Sequence, residues 1–176
     1  MVSRFAVRAS GPTFAVVAAF AMAVAANTTA SAQPWCGKDS LSLNTGAVTP
    51  TEYAGQDQLE LVLTNISEQS CMLQGYPGVD LVGPDVPMWG PVFSLQRQSG
   101  DPQPVTLDPG ASAASILTFG EPSLPEDFWM PTTIVVTPPD ATTQLEVPWI
   151  AGDYAVQRQD GATRPATYIG PLQPTD

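Results

Sequence analysis

The chain has 176 residues, with six Lys and Arg against 17 Asp and Glu, no histidine, and a formal net charge of −11. Without histidine, Ser-His-Asp and Cys-His catalytic units, histidine metal ligands and histidine pH switches are excluded. The acidic balance also argues against nucleic acid and anionic lipid surfaces as partners, because both are bound through cationic side chains.

The first 32 residues are predicted to be a helical, cleavable signal peptide. Arg4 and Arg8 give a positive start, and an apolar run follows over residues 14–26. That run is shorter than the roughly 20 residues that span a bilayer. Ala30-Ser31-Ala32 supplies a small-x-small cleavage pattern, which puts the cut before Gln33. An uncleaved membrane anchor is the alternative interpretation.

Cleavage would define the mature chain and its compartment. It leaves 144 residues, and the loss of two arginines takes the net charge from −11 to −13. A chain of this length builds one core, and such a charge favours a soluble monomer that does not insert into a membrane. Cys36 follows Gln33-Pro34-Trp35 rather than the small residues of a lipid-attachment site. We therefore expect a secreted protein in the extracellular space or cell envelope.

The two cysteines of an exported chain are predicted to form one disulfide, Cys36–Cys71. The loop that they close has 36 residues, for which the chain-entropy estimate is about 3.8 kcal/mol. The alternative is a catalytic thiol at Cys71, but no His or Lys lies nearby in sequence to activate it.

Hydrophobic residues of the mature chain alternate with a period of two, which predicts strands rather than helices. The clearest run sets Leu59, Leu61 and Leu63 on one face. Further strands are predicted at residues 41–43, 79–81, 92–95, 105–107, 116–119, 134–136 and 145–147, and weaker ones at 155–156 and 168–169.

Proline and glycine separate these strands. Tyr76-Pro77-Gly78 and Asp108-Pro109-Gly110 fit type II turns, in which the glycine has a positive φ. Many short strands with such breaks predict an all-β, antiparallel β-sandwich. We assign it to residues 33–160, and expect a weak last strand and a flexible C-terminal tail over residues 161–176.

One stretch carries a specific resemblance. An apolar strand ends in Thr64-Asn65 and is followed by Cys71 and by Gly75-Tyr76-Pro77-Gly78, with Asp108-Pro109-Gly110 further on. Over roughly residues 36–150 the chain resembles domain of unknown function 4232 (DUF4232), a family of secreted and lipid-anchored actinobacterial proteins. The resemblance implies an immunoglobulin-like sandwich, exported and of unassigned function. The chain lacks the second cysteine pair of many relatives.

The residues of this motif are typical of a structural role rather than of a catalytic or binding role. Asn65 at a strand end can bond local backbone amides, and Tyr76 is expected to be half-buried with its hydroxyl on a backbone acceptor. Pro77 and Gly78 would reverse the chain. Asn65-Ile66-Ser67 also fits the N-glycosylation pattern, a match that we take to be fortuitous.

Carboxylates and aromatic side chains are the remaining candidates for function. Asp80/Asp85, Asp101/Asp108 and Glu121/Glu126/Asp127 are clusters that could serve calcium binding or paired-acid hydrolysis, but none forms a linear calcium-loop motif. Trp89 and Trp129, in irregular stretches, could form a binding platform for sugar or peptide. The alternative is that both tryptophans belong to the core or hold loops.

These observations favour a non-catalytic, exported interaction module that uses no metal and no cofactor. Its partner would be an unknown protein or an envelope glycan. A small carboxylate-based hydrolase, or a calcium-assisted carbohydrate-binding protein, is the alternative function.

Overall fold

The computed structural model describes residues 33–87, 89–124, 128–150, 154–160 and 162–175, so the predicted signal peptide lies outside the described residues. These ranges form strands and turns, with one 3-10 turn at Lys38–Ser40. The strands are β1 (Leu41–Pro50), β2 (Gln56–Asn65), β3 (Cys71–Leu73), β4 (Gly78–Val82), β5 (Val92–Ser94), β6 (Gln96–Arg97), β7 (Val105–Leu107), β8 (Ser112–Gly120), β9 (Phe128–Trp129), β10 (Thr133–Thr137), β11 (Leu145–Pro148), β12 (Val156–Gln157), β13 (Tyr168–Ile169) and β14 (Gln173–Pro174). Within the described ranges, no helix is long and apolar enough to cross a membrane.

The larger sheet is centred on the long strands β2 and β8. Its strand order is β1-β2-β8-β13-β6, and β14 also lies beside β8. β2 and β8 pair antiparallel from Gln56 opposite Gly120 to Thr64 opposite Ser112. β6 and β13 pair in parallel, whereas the other strand pairs of this sheet are antiparallel.

The second sheet has the order β11-β10-β4-β5 and is antiparallel throughout. Alternating residues of the two sheets meet in the main core, where those of β2 and β8 pack with those of β4 and β10. These core residues include Leu59, Leu61, Leu117 and Phe119 from the first sheet and Val79, Leu81, Ile134 and Val136 from the second. The predicted all-β sandwich is therefore confirmed, with the two-layer architecture that the immunoglobulin-like resemblance implies.

A second, smaller core surrounds the disulfide. Cys36 and Cys71 are bonded, with their Cα atoms 5.0 Å apart, as predicted. β3 and β7 form a two-stranded sheet in which Cys71 lies opposite Leu107. Cys36, Cys71, Leu63, Leu73, Leu107 and Leu172 are all buried in this cluster.

The C-terminal residues correct the expectation of a flexible tail. Tyr168–Ile169 is a strand, as predicted, but it lies inside the larger sheet, between β8 and β6. Leu172 is buried, and its N–H donates to the Gly75 carbonyl at 3.0 Å. β14 then adds to β8 through Gln173 and Pro174. Two-residue strands show no hydrophobic period, so the sequence pattern could not distinguish them from a tail.

Candidate functional site

Asn65 is the centre of the family-like motif and is fully buried. Its Nδ2 donates to the carbonyls of Gln69 at 2.8 Å and Leu107 at 2.9 Å. Its Oδ1 accepts from the Ser67 N–H at 3.0 Å and from the Ser67 hydroxyl at 2.8 Å. A buried amide in an apolar core must have such partners, and here they join β2, the following loop and β7.

The Pro109-Gly110 turn meets the same asparagine. Gly110 has a φ of 83°, as expected for a type II turn, and its N–H donates to the Asn65 carbonyl at 2.8 Å. The Asn65 N–H donates in turn to the Ala111 carbonyl at 2.9 Å. The Asn, the Cys and the Pro-Gly turn of the motif are therefore neighbours in space, which explains why they occur together.

The glycosylation pattern at Asn65 has no accessible acceptor in the folded chain. Both protons that Nδ2 carries are donated to carbonyls, and the side chain is removed from solvent. The asparagine is therefore structural, which agrees with our interpretation of the pattern as fortuitous.

The Gly75–Gly78 turn differs from our prediction in detail. The positive φ falls on Gly75, at 111°, whereas Gly78 begins β4 in extended conformation. Pro77 is buried and Tyr76 is half-buried. Among the described residues no hydrogen bond joins the Tyr76 hydroxyl, which instead lies close to Gly100, where a Cβ would come within 2.9 Å of it. The backbone acceptor that we expected for Tyr76 is thus not among the described residues.

Arg158, which we did not predict as a site residue, is the centre of a second group of side-chain contacts. Its side chain is 4% exposed and forms a salt bridge with Asp160, at 2.7 Å from Nη2 to Oδ2. Its guanidinium carbon lies 4.6 Å from the centre of the Trp129 ring and 5.5 Å from that of Phe93. The arginine is thus held between a carboxylate and two aromatic faces, as its delocalised charge allows.

The same guanidinium binds three backbone carbonyls of one turn. Nη1 donates to Gly90 at 2.6 Å, and Nη2 donates to Trp89 at 2.9 Å and to Val92 at 2.8 Å. Gly90 has a φ of 69°, which a glycine adopts without strain. Arg158 therefore fixes the backbone that carries the Trp89 side chain.

Trp89 and Trp129, the predicted platform, have different positions. Trp129 is 4% exposed, its Nε1 donates to the Pro84 carbonyl at 3.0 Å, and it stands edge to face against Phe93. Trp89 is 43% exposed. Trp129 therefore belongs to the core, so the two-tryptophan platform is corrected and only Trp89 is available to a partner. The stretch around Trp129, which we predicted to be irregular, contains β9, and β9 pairs with β12.

Other exposed apolar side chains lie on the segments that Arg158 joins. Val92 follows the turn that Arg158 holds, Phe128 precedes Trp129 in β9, and Met130 comes directly after β9. These three side chains are 43%, 60% and 39% exposed. We call Trp89, Val92, Phe128 and Met130 the Trp89 patch. Met88 and residues 125–127 lie outside the described residues.

The described members of the predicted acidic clusters are exposed or make local hydrogen bonds. The Ser94 hydroxyl donates to the Asp80 carboxylate, and the Ser70 hydroxyl donates to that of Asp108, so these two acids serve local bonds. Asp85 and Asp101 are exposed, and Glu126 and Asp127 are outside the described residues. In the described part of the chain, no three His, Cys, Asp or Glu residues lie together as a metal site would require.

One acidic contact that sequence spacing did not predict is Asp57 with Glu121. A hydrogen bond and charge repulsion from Asp57 raise the pKa of Glu121 above its ordinary 4.5, with a smaller effect of burial. Asp57 is buried near the start of β2, and Glu121 follows the end of β8. The two are distant in sequence and meet because β2 and β8 are antiparallel neighbours.

Taken together, the fold and these contacts define a small, disulfide-bonded β-sandwich whose assembled side-chain centres at Asn65 and Arg158 hold backbone in place. The family model of the domain of unknown function DUF4232 matches residues 36–170, and the chain belongs to that family. No curated protein and no solved structure matches the chain.

Proposed function

We propose that the chain is an exported, non-catalytic β-sandwich module for interaction in the cell envelope or outside the cell, and that it binds a protein partner through the Trp89 patch. The observation that carries the proposal is the buried Arg158, which bonds the carbonyls of Trp89, Gly90 and Val92 while the Trp89 side chain remains 43% exposed.

An exposed tryptophan on a fixed backbone suits binding for two reasons. Tryptophan is enriched among the residues that dominate interface energies. A turn whose conformation is already set loses less entropy when a partner binds. The exposed apolar side chains of Val92, Phe128 and Met130 would add contact area to that of the ring. This combination supports a preformed contact surface of the kind that protein partners use.

Charge and chemistry support a binding role over catalysis. The net charge of −11 favours a partner that is not itself strongly acidic. The described carboxylates are spread over the surface or used in local bonds, apart from the Asp57–Glu121 pair. This distribution supports a module without a catalytic centre.

The alternative is a small carboxylate-based hydrolase or calcium-assisted carbohydrate binder, and the Asp57–Glu121 contact is the observation in its favour. Paired acids of glycosidases stand about 5–10 Å apart to admit substrate or water, whereas Asp57 acts on Glu121 directly enough to raise the pKa of Glu121. Calcium titration of the purified chain, followed by calorimetry, tests this alternative. Saturable heat that Glu121→Gln abolishes would favour it over the interaction module.

The interaction proposal is tested by affinity capture from culture with the mature chain, read by mass spectrometry. We expect a protein that is retained by the natural chain and lost with Trp89→Ala and with Phe128→Ala. Tyr53→Ala is the matched control, because Tyr53 is an exposed aromatic residue, at 72%, outside the patch. Capture that survives both patch variants would contradict the proposed surface. Intact mass of the secreted chain beginning at Gln33 tests export separately.

A further inference from the structure

A cleft of about 390 Å³ lies at the disulfide and shares no residue with the Trp89 patch. One wall is the segment just before Cys36, and the other is the loop between Asn65 and Cys71. Its lining includes one aromatic side chain and several polar ones: Trp35, Ser40, Ser67, Glu68, Gln69 and Ser70. We refer to it as the Trp35 cleft.

The Trp35 wall is held by backbone pairing. Trp35 bridges Met72 in parallel fashion, at the edge of β3. The Met72 N–H donates to the Pro34 carbonyl at 2.9 Å, and the Cys36 N–H donates to the Met72 carbonyl at 3.0 Å. The disulfide to Cys71 follows directly. This short added strand fixes the position from which the Trp35 side chain, 45% exposed, faces solvent.

The loop wall is fixed by Asn65. The Gln69 carbonyl accepts from Asn65 Nδ2 at 2.8 Å, and the Ser67 hydroxyl donates to Asn65 Oδ1 at 2.8 Å. The Ile66 N–H donates to the Ser40 carbonyl at 2.8 Å, which ties the loop to the start of β1. Both walls are therefore set before any ligand arrives, so binding does not have to order them.

The side chains of the cleft combine an apolar ring face with free polar groups. Glu68 and Gln69 are exposed, and neither side chain has a hydrogen-bond partner among the described residues. Glu68 offers acceptors, while the Gln69 amide offers both donors and an acceptor. A pyranose ring has the complementary surface, with one apolar C–H face and hydroxyl groups around its edge. A wholly apolar ligand would leave these polar groups unpaired.

The negative charge near the Trp35 cleft limits the class of sugar that the cleft can bind. Glu68 lines the cleft, and the Asp108 carboxylate accepts from Ser70, another lining residue. Carboxylates at the rim repel uronic acids and phosphorylated sugars, and the net charge of −11 adds to that repulsion. From the ring, the free polar groups and the charge, we infer that the Trp35 cleft binds a neutral hexopyranose oligosaccharide.

The test is calorimetric or NMR titration of the purified, disulfide-bonded mature chain with three neutral probes, cellotriose, maltotriose and chitotriose, and with the anionic trimer of galacturonic acid. We expect saturable binding of at least one neutral probe and at least tenfold weaker binding of the anionic one. Trp35→Ala should weaken that binding at least tenfold. Tyr53→Ala, which removes an exposed aromatic side chain outside both the Trp35 cleft and the Trp89 patch, should leave it unchanged.

A second variant protects the test against a folding defect. Gln69→Ala removes a side chain that is exposed and has no described hydrogen-bond partner, so it should fold normally and still weaken sugar binding several-fold. No binding of any neutral probe, equal binding of the anionic trimer, or unchanged binding by both variants would overturn the assignment. Because Trp89 is outside the cleft, these outcomes are independent of protein capture by the Trp89 patch.

Discussion

The guanidinium carbon of Arg158 lies 4.6 Å from the centre of the Trp129 ring, on a side chain that is only 4% exposed. A buried cation needs full compensation, and Arg158 receives it from Asp160 and from the carbonyls of Trp89, Gly90 and Val92. These partners come from separate parts of the chain. Arg158 therefore joins the end of β12 to the turn before β5 and to the buried Trp129 of β9.

Arg158→Lys should therefore destabilise the fold although it keeps the charge. A lysine has three donors on one nitrogen and cannot reproduce the planar fork that bonds Asp160 and the three carbonyls. We expect a loss of about 3 kcal/mol in the free energy of unfolding, measured by urea denaturation. Arg97→Lys is the control, because Arg97 is exposed on β6 and should change stability by less than about 0.5 kcal/mol. Equal effects of the two variants would contradict this role.

The strands of the sandwich were largely predictable, because burial on one face leaves a period of two in the sequence. Leu59, Leu61 and Leu63 of β2 and the apolar pairs of β4, β7 and β10 show it directly. β8 was predicted too short, since Ala113 and Ser115 are buried but too small or polar to mark a strand by pattern. Two-residue strands such as β9 and β14 leave no period at all.

The site was less predictable, because it depends on contacts between residues distant in sequence. The pattern suggested an architectural role for Asn65, and the structure agrees. The sequence contains only a weak indication that Arg158 has a structural role. Arg158 is one of few cationic residues in an acidic chain, and it lies two positions before Asp160. Its carbonyl partners lie 66–69 residues away, and backbone carbonyls have no sequence signature. The burial of Trp129 followed from that same packing.

Asn65→Asp should destabilise the fold more than any surface substitution. The change keeps the shape but replaces two donated hydrogen bonds, to the Gln69 and Leu107 carbonyls, with repulsion between oxygens in a buried place. We expect a loss of about 3 kcal/mol at neutral pH, measured by chemical denaturation. Asn44→Asp, on an exposed position of β1, is the matched control. A stability loss at Asn65 no larger than at Asn44 would show that the buried amide is not the centre of the motif.

Removal of the disulfide should also lower the free energy of unfolding. Cys36 and Cys71 are separated by 35 positions, and the bridge limits the unfolded chain. The chain-entropy estimate predicts that Cys36→Ser with Cys71→Ser loses about 3–4 kcal/mol. Thermal unfolding of the oxidised chain, the reduced chain and the double variant measures this effect, and the last two should unfold at similar temperatures. A double variant as stable as the oxidised chain would contradict the prediction.

Gly83 should resist substitution because of close packing. A Cβ there would lie 2.9 Å from the Trp129 ring, and 3.0 Å from both the Met130 carbonyl and the Pro131 Cα. The backbone atoms cannot move away without straining the chain. Gly83→Ala should therefore lower the free energy of unfolding by about 1–3 kcal/mol. Gly37→Ala is the control, since nothing lies within 4 Å of its added methyl group. A neutral effect at Gly83 would mean that the Trp129 side of the core has room to shift.

Glu121→Gln should stabilise the chain at neutral pH. The contact with Asp57 raises the pKa of Glu121, so the folded state favours the protonated acid, and its stabilising contribution is lost as pH rises through that raised pKa. A glutamine stays neutral and removes the repulsion between the two carboxylates. Because Glu121 is largely exposed, water screens the effect, and we expect a rise in Tm of about 1–3 °C at pH 7.

The pH dependence separates this repulsion from a general effect of removing a negative charge. The gain from Glu121→Gln should shrink as pH falls and vanish below about pH 4, where the natural Glu121 is itself protonated. Glu146→Gln, which removes an exposed acid of β11, serves as the control for net charge. Thermal unfolding of all three chains from pH 3 to pH 8 measures the difference. A gain at Glu121 that is constant over this range, or equal to that at Glu146, would contradict a specific contact with Asp57.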